Sequence, residues 1–237
     1  MNTLMIGCHG INSTGSEILD NALHRKWPRA KHVTLLSSKP CPWTGSGITK
    51  KSGTVPKAEK DKGPHAYSFS GFPMDAILFG LHNPKELLGF DRQFDLVFAG
   101  VKHHKVVGPD ILFSSDTMAC AVAAKYFGVP CVVIAADTPE GTKDGDIDPH
   151  VFAAATRFLP QILNGISPIP GQTLVINIPT MVTNGIVNVP AALYSGDIPA
   201  KANPYARRRQ TDMSALEKGF VTLVEVNLEM NLQVAFA

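Results

Sequence analysis

Short apolar runs alternate along the chain with longer segments whose apolar residues recur at helical spacing. Most of the runs are rich in branched aliphatic residues, and they span 3–6, 32–36, 66–70, 94–100, 130–135 and 173–179. The first helical segment runs from about Thr14 to Lys26 and places Ile18, Ala22 and Leu23 on one face. Further helices are predicted over 75–81, 117–127 and 150–163. This alternation predicts an α/β fold with a doubly wound, mostly parallel, Rossmann-like sheet.

The alternation weakens toward the C-terminus. A polar stretch that contains Arg207-Arg208-Arg209 is followed by a β-rich tail from Gly219 onward. We therefore expect an α/β core over residues 1–180 and a β-rich C-terminal extension over 181–237 that packs on this core.

The turn after the first strand, Gly7-Cys8-His9-Gly10, is the first candidate site. A helix follows it, with Glu17 three residues after Thr14 in the spacing of a capping box. In open parallel sheets the ligand crevice lies at the carboxyl edge of the strands, where such turns are found. We therefore expect Cys8 and His9 to line a ligand cleft.

A basic cluster, Lys102-His103-His104-Lys105, follows the predicted strand over 94–100 and is the second candidate site. The pattern predicts a basic turn that faces the start of the alanine-rich helix over 117–127. Backbone N–H groups at the start of a helix attract anions. Two interpretations stay open: a turn that holds an anion or a nucleotide without a metal, and a basic loop exposed to solvent.

Composition excludes several classes of protein. The formal net charge of +2 is too small to indicate nucleic acid or an anionic membrane as a partner, while 44% hydrophobic residues suffice for a full core. The N-terminus lacks the features of a signal peptide, and no apolar run is long enough to span a bilayer. Cys120 and Cys131 lie in apolar stretches and are expected to be small buried residues. We expect a cytoplasmic protein.

Several stretches together resemble the SurE family of metal-dependent phosphatases, which act on nucleoside monophosphates. In chain order they are Gly7-Cys8-His9-Gly10-Ile11 for the family's Asn-Asp-Asp-Gly-Ile, Gly71-Phe72-Pro73-Met74-Asp75-Ala76 for Gly-Thr-Pro-x-Asp-Cys, Ala99-Gly100-Val101-Lys102-His103-His104 for Ser-Gly-Ile-Asn-His-Gly, Ser115-Asp116-Thr117 for Ser-Gly-Thr, Leu174-Val175-Ile176-Asn177-Ile178-Pro179 for Leu-Asn-Val-Asn-Ile-Pro, and Thr211 to Val221 for Thr-Asp-x-x-Ala-x-x-x-Gly-Tyr-Val. The order and spacing of these matches cover nearly the whole chain. The resemblance implies a SurE-like α/β fold.

The resemblance assigns four metal-ligand positions to Cys8, His9, Thr44 and Lys102. In the family, two aspartates, a serine and an asparagine hold a divalent cation, Mg²⁺ or Mn²⁺, at these positions. Such hard cations prefer oxygen ligands, above all carboxylates, and a protonated lysine repels them. We therefore expect no Mg²⁺, no Mn²⁺ and no other cofactor, with a zinc-like site at Cys8 and His9 as the alternative. A nucleophilic Cys8, activated by His9 and the helix start, is a further alternative.

The candidate ligand-binding residues surround the same cleft: Gly10, Gly45, Ser46, Lys102, His103, His104, Ser115 and Thr117. Asp116 stands where the family has a glycine, and its carboxylate disfavours a phosphate against this turn unless Lys102 pairs with it. Asp75 and Asp212 match family positions away from the metal, and we expect them to be buried hydrogen-bond partners.

Three functions are consistent with these observations. The first is a catalytically degenerate nucleotidase homologue that binds a phosphorylated ligand, such as a nucleotide, or a protein partner in the former active-site cleft. The second is an active phosphomonoesterase of nucleoside monophosphates with an altered Cys/His metal site. The third is a structural or assembly protein with a vestigial cleft. A homodimer is compatible with each, although the family's hairpin arm is missing between Arg209 and Thr211.

Overall fold

A nine-stranded sheet forms the centre of the described part of the chain. The structure is a computed structural model and describes residues 1–7, 14–37, 45, 47–49, 57–58, 65–108, 115–138, 149–167, 169–181, 184–189 and 212–226. The strands are β1 (Asn2–Gly7), β2 (Lys31–Ser37), β3 (Lys57–Ala58), β4 (Ala66–Phe69), β5 (Leu96–His103), β6 (Cys131–Ala136), β7 (Thr173–Ile178), β8 (Ile186–Asn188) and β9 (Val221–Val226). The helices are α1 (Thr14–Lys26), α2 (Pro73–His82), α3 (Pro84–Leu88), α4 (Asp116–Tyr126), α5 (Pro149–Gly165) and α6 (Asp212–Glu217).

The strand order is β3-β4-β2-β1-β5-β6-β7-β9-β8. The six strands from β4 to β7 in this order are parallel, whereas β3 runs antiparallel to β4 and β9 runs antiparallel to β7. β8 pairs in parallel with β9 at the far edge. The predicted mostly parallel α/β sheet is therefore confirmed, and β8 and β9 extend this same sheet.

Helices cover both faces of the sheet. α1 packs with α5 on one face, and α2 packs with α4 on the other. Neighbouring strand residues therefore enter different cores, because side chains of a strand alternate between its faces: Phe98 packs with Leu19 and Leu159, while Val97 packs with Ile77. A central sheet with helices on both faces is the arrangement of a doubly wound fold. No helix of the described segments has the length and apolar character needed to cross a bilayer.

The helices differ from the sequence prediction mainly at their ends. α2 begins at Pro73 rather than Asp75, because proline suits the first helical position and the Asp75 carboxylate accepts a hydrogen bond from the Phe72 N–H at 2.8 Å. α4 begins at Asp116 with Ser115 as its N-cap. The short elements α3, α6 and β8 are absent from the prediction, since segments of three to six residues carry little periodicity.

The end of β5 corrects the prediction of a basic turn. The strand continues past Gly100 to His103, and its pairing with β6 shifts register between Ala99 and Lys102. Gly100 has φ of 131°, and a Cβ atom there would overlap the Ile134 carbonyl oxygen, so this bulge requires glycine. Lys102 and His103 consequently lie inside the fold, with exposed fractions of only 2% and 3%. The interpretation as a solvent-exposed basic loop is wrong for these two residues.

Candidate functional site

The carboxyl ends of β1, β5 and β6 lie side by side, as the sequence pattern predicts for a cleft in a parallel sheet. The final residues of β5 meet the start of α4 at this edge. The group that they form, called the Lys102 cluster below, comprises Lys102, Ser115, Asp116 and Thr117.

Lys102 and Asp116 form the centre of the Lys102 cluster. The Lys102 ammonium nitrogen lies 2.8 Å from Asp116 Oδ1, and their side chains are exposed by only 2% and 0%. The same nitrogen lies 3.5 Å from the hydroxyl oxygen of Ser115. Burying two charges carries a large desolvation cost, which close pairing offsets because attraction is strong in a medium of low polarity. The cluster therefore contains one positive and one negative charge that compensate each other.

The start of α4 is held by its own side chains. Ser115 Oγ accepts a hydrogen bond from the Met118 N–H at 3.3 Å and lies 2.7 Å from the Thr117 hydroxyl oxygen. Asp116 Oδ1 accepts a hydrogen bond from the Thr117 N–H at 3.0 Å. A carboxylate in the first turn is favourable because the start of a helix carries partial positive charge.

The second oxygen of Asp116 has a different environment. Asp116 Oδ2 is buried and has no hydrogen-bond partner within the described ranges. A buried carboxylate oxygen without a donor is costly, because it has lost its hydration without replacement. The Lys102 cluster is therefore balanced in charge but incomplete in hydrogen bonding.

His104 lies beside the cluster in a left-handed backbone conformation, with φ of 78°. This conformation costs an L residue roughly 1–2 kcal/mol relative to the right-handed region. The family motif that this stretch resembles has a glycine at this position, which suits a left-handed conformation. The imidazole Nδ1 lies 3.1 Å from the Thr138 hydroxyl oxygen, so a contact beyond β6 holds the side chain.

Asp137 is a residue of this edge that the sequence analysis did not single out. It directly follows β6, its backbone N–H donates to the Ile178 carbonyl at 2.8 Å, and its own carbonyl accepts from the Thr180 hydroxyl at 2.7 Å. Burial raises the pKa of its carboxyl group, while Lys105 and His104 act in the opposite direction. Its position immediately after a buried strand is the signal that could have identified it.

The structure brings together some of the predicted site residues. Lys102, Ser115 and Thr117 share the Lys102 cluster, and His103 follows Lys102 in β5 as a buried residue. Gly45 lies in a turn with φ of 52°. The remaining predicted positions fall outside the described residues: Cys8, His9, Gly10, Thr44 and Ser46. The position of the family's hairpin arm, between Arg209 and Thr211, falls outside them too.

The predicted structural roles of Asp75 and Asp212 are confirmed in their hydrogen bonds. Asp212 is fully buried and accepts from the Gly108 N–H at 3.1 Å and the Met213 N–H at 2.8 Å. Asp75 is half-buried and accepts from the N–H groups of Phe72 and Thr49.

The two cysteines that were predicted to be buried lie inside the core. Cys120 and Cys131 are exposed by 0% and 1%, and burial raises the pKa of both thiols. Neither thiol is therefore a reactive group at neutral pH.

Metal ligands are not gathered in the part of the chain that is described. No group of three or more His, Cys, Asp and Glu side chains in it has an arrangement that could hold a metal ion. Lys102 corresponds to a metal-holding asparagine of the family motif that this stretch resembles. Its ammonium group has no lone pair for coordination.

Comparison with known proteins agrees with the resemblance. The family model described as Survival protein SurE matches residues 9–196. The chain is 28% identical over 150 residues to the 5'-nucleotidase SurE of Anaeromyxobacter sp. (strain K), an alignment that covers 61% of this chain and 54% of that protein. It is 32% identical over 149 residues to the 5'-nucleotidase SurE of Clostridium beijerinckii, covering 62% and 54%. The alignments thus span about half the length of these curated relatives.

A solved structure supports the fold over a greater length. The crystal structure of the SurE protein from Aquifex aeolicus superimposes with a TM-score of 0.74, covering 99% of this chain and 97% of that one at 19% identity. At this identity the likeness establishes the arrangement of strands and helices.

Proposed function

The chain belongs to the SurE family, and from this premise we propose that it binds a phosphorylated ligand in the carboxyl-edge cleft without a divalent cation and without hydrolysing it. The observation that carries the proposal is the buried pair of Lys102 and Asp116 at 2.8 Å. An internal cation stands where the resembling motif has a residue that helps to hold the metal.

At three of the four metal positions, the residue present does not fit Mg²⁺ or Mn²⁺. Lys102 contributes a positive charge in place of a neutral ligand, and the sequence has Cys8 and His9 in place of two aspartates. Two negative charges are therefore absent, and one positive charge is added. Since hard divalent cations depend on anionic oxygen ligands, this donor set opposes their binding.

The elements that attract a phosphate are nevertheless present. Lys102 provides a positive charge, which Asp116 balances in this structure. The start of α4 provides partial positive charge, and the hydroxyl groups of Ser115 and Thr117 lie at the same place. Such groups bind phosphate oxygens through charge-assisted hydrogen bonds that need no metal. The proposed ligand is a nucleotide or another small molecule that carries a phosphate ester.

The remaining roles are part of the same proposal. A protein partner that presents a phosphorylated or acidic group to the cleft has the same chemistry at the point of contact. We further propose a cytoplasmic location and a chain that forms a homodimer, with neither a membrane nor a nucleic acid as partner.

Hydrolysis and binding assays test the proposal separately. Purified protein is assayed with p-nitrophenyl phosphate and with nucleoside monophosphates, each in Mg²⁺, Mn²⁺, Co²⁺ or Zn²⁺ and in EDTA. We expect no turnover above the buffer rate in any condition. In EDTA, we expect the melting temperature to rise when a nucleoside monophosphate is added at millimolar concentration, because a ligand of the folded state stabilises it by mass action.

The Cys8→Ala/His9→Ala double variant is the control for the alternative function. Turnover that depends on a divalent metal and disappears in this variant would show an active phosphomonoesterase with a Cys/His site, and would refute the loss of hydrolysis. If no ligand shifts the melting temperature and no turnover occurs, the vestigial cleft of a structural protein is the correct description.

A further inference from the structure

The Asp116 carboxylate already uses the groups that would bind a phosphate. Its Oδ1 atom receives the Lys102 ammonium at 2.8 Å and the Thr117 N–H at 3.0 Å. These donors come from two different elements, the end of β5 and the first turn of α4. A phosphate at the start of α4 would require the same two donors.

Burial makes this occupation significant. Lys102 and Asp116 are exposed by 2% and 0%, so water screens their attraction very little. A phosphate oxygen that approached the ammonium would also meet the Asp116 carboxylate, and the two anions would repel each other. A ligand phosphate can therefore bind to Lys102 closely only if the carboxylate moves away.

The unpartnered oxygen shows that the carboxylate is not fully accommodated. Asp116 Oδ2 is buried without a hydrogen-bond partner among the described residues. An aspartate chosen only to cap the helix would be expected to have donors for both oxygens, because leaving a buried acceptor unpaired costs stability. Within the described residues, Oδ2 therefore forms no hydrogen bond that would be broken when the carboxylate is displaced.

We propose that the Asp116 carboxylate is an internal anion that occupies the place of a ligand phosphate at Lys102 and the start of α4, and that Asp116 thereby sets the affinity of the cleft for phosphate. The inference rests on the proposed function, since it concerns the same cleft and the same kind of ligand. In the ligand-free protein Asp116 neutralises Lys102. When a phosphate ester binds, its oxygens take the Lys102 ammonium and the Thr117 N–H, and the carboxylate is displaced.

Titration calorimetry with inorganic phosphate, in EDTA, tests this inference. The wild type is compared with Asp116→Gly, which removes the carboxylate that pairs with Lys102, and with the double variant Lys102→Asn/Asp116→Gly, which removes both charges. We expect Asp116→Gly to bind phosphate at least tenfold more tightly than the wild type. The double variant should bind no more tightly than the wild type, because the gain requires the Lys102 ammonium.

A nucleoside monophosphate is titrated in parallel to identify the source of the phosphate. A comparable gain for this ester indicates a cleft that accepts phosphomonoesters. A gain for inorganic phosphate alone still supports the role of Asp116 and identifies the free ion as the ligand. A gain of equal size in the double variant would overturn the inference, since it would not pass through Lys102.

A second measurement covers the case in which Asp116→Gly does not fold. The isosteric Asp116→Asn keeps an acceptor for the Thr117 N–H, and circular dichroism follows the refolding of both variants as phosphate is added. Restoration of the folded signal by phosphate supports the inference, because phosphate then replaces the missing carboxylate. Failure of both variants to fold at saturating phosphate would overturn it.

The outcomes also separate the inference from the proposed function. If the wild type binds phosphate and Asp116→Gly binds no more tightly, Asp116 does not set the affinity, while the proposed function stands. If Asp116→Gly binds and the wild type does not, the inference is supported and the wild-type protein is not a phosphate binder. If neither binds, both are refuted.

Discussion

Two helices of this protein begin with a fully buried aspartate, and the two aspartates are satisfied in different ways. Asp116 opens α4, Asp212 opens α6, and each accepts the N–H of the residue that follows it. The second oxygen of Asp212 accepts the Gly108 N–H at 3.1 Å. The second oxygen of Asp116 has no partner within the described residues, and its first oxygen is paired with Lys102.

The difference distinguishes an aspartate that ties two segments together from one that balances a charge. Asp212 joins the start of α6 to the segment after β5 through backbone N–H groups, which is a structural role. Asp116 instead neutralises a lysine at the edge where a parallel sheet binds its ligand. Similar positions on two helices therefore serve stability in one case and the candidate site in the other.

The largest effect is expected from removing the lysine of this comparison. Lys102→Met leaves the Asp116 carboxylate buried without its partner, and breaking such a pair costs about 3–5 kcal/mol of unfolding free energy. Urea denaturation measures the loss. The double variant Lys102→Met/Asp116→Asn, which has no buried charge left in the pair, should recover most of the stability. A single variant as stable as the wild type would mean that the two side chains do not form this pair.

A smaller loss is expected from Asp212→Ala. The substitution leaves the Gly108 and Met213 N–H groups without their acceptor, which costs roughly 2–3 kcal/mol by the usual values for a helix cap and an unpaired buried group. Asp212→Asn keeps an acceptor oxygen and should lose less in the same urea experiment. Phosphate binding should be unchanged in Asp212→Asn. A change there as large as in Asp116→Gly would remove the distinction between the two aspartates.

The smallest expected effect is the loss of stability in acid that His32 causes, a residue away from both helix starts. His32 is buried in β2, with Nδ1 at 2.7 Å from the Thr3 hydroxyl oxygen and Nε2 at 3.0 Å from the Trp27 carbonyl oxygen. Burial, aided by the nearby His24, lowers the pKa of His32 from its ordinary value of 6.5. The unfolded chain therefore takes up a proton more readily than the folded protein, and stability should fall as the pH drops below about 6.5 until the folded-state pKa is passed.

Urea denaturation at pH 7.5, 6.5 and 5.5 measures this contribution. His32→Gln should show a weaker dependence on pH than the wild type over that interval. An unchanged dependence in the variant would assign the acid sensitivity to other groups.

Much of the fold follows from local pattern. The apolar runs and the helical spacing of residues such as Ile18 and Ala22 predict alternating strands and helices, and the parallel sheet is confirmed. The main error of the sequence prediction is the end of β5. Lys102 and His103 are polar, and a prediction from the apolar pattern ends the strand before such residues. Both residues follow the register shift at Gly100, and the buried Lys102 pairs with Asp116 of α4; these are contacts between elements.

The sequence indicated the position of the candidate site, but not the burial and pairing of its residues. The turn after β1 and the basic residues after the central strand both mark the carboxyl edge, and the resembling motifs place Lys102, Ser115 and Thr117 there. Asp137 was not singled out, although its position directly after a buried strand is visible in the sequence. Its burial and its interactions with His104 and Lys105 are decided by packing, which no local pattern shows.

The order of residues along the chain thus determined the class of fold, the family and the edge of the sheet at which the candidate site lies, because periodicity and motif spacing are properties of local sequence. The state of that site was determined by three-dimensional packing. Only the meeting of β5 with α4 places the Lys102 ammonium 2.8 Å from the Asp116 carboxylate and removes both from water. The same two residues would be ordinary surface charges if they were exposed, and burial makes each depend on the other.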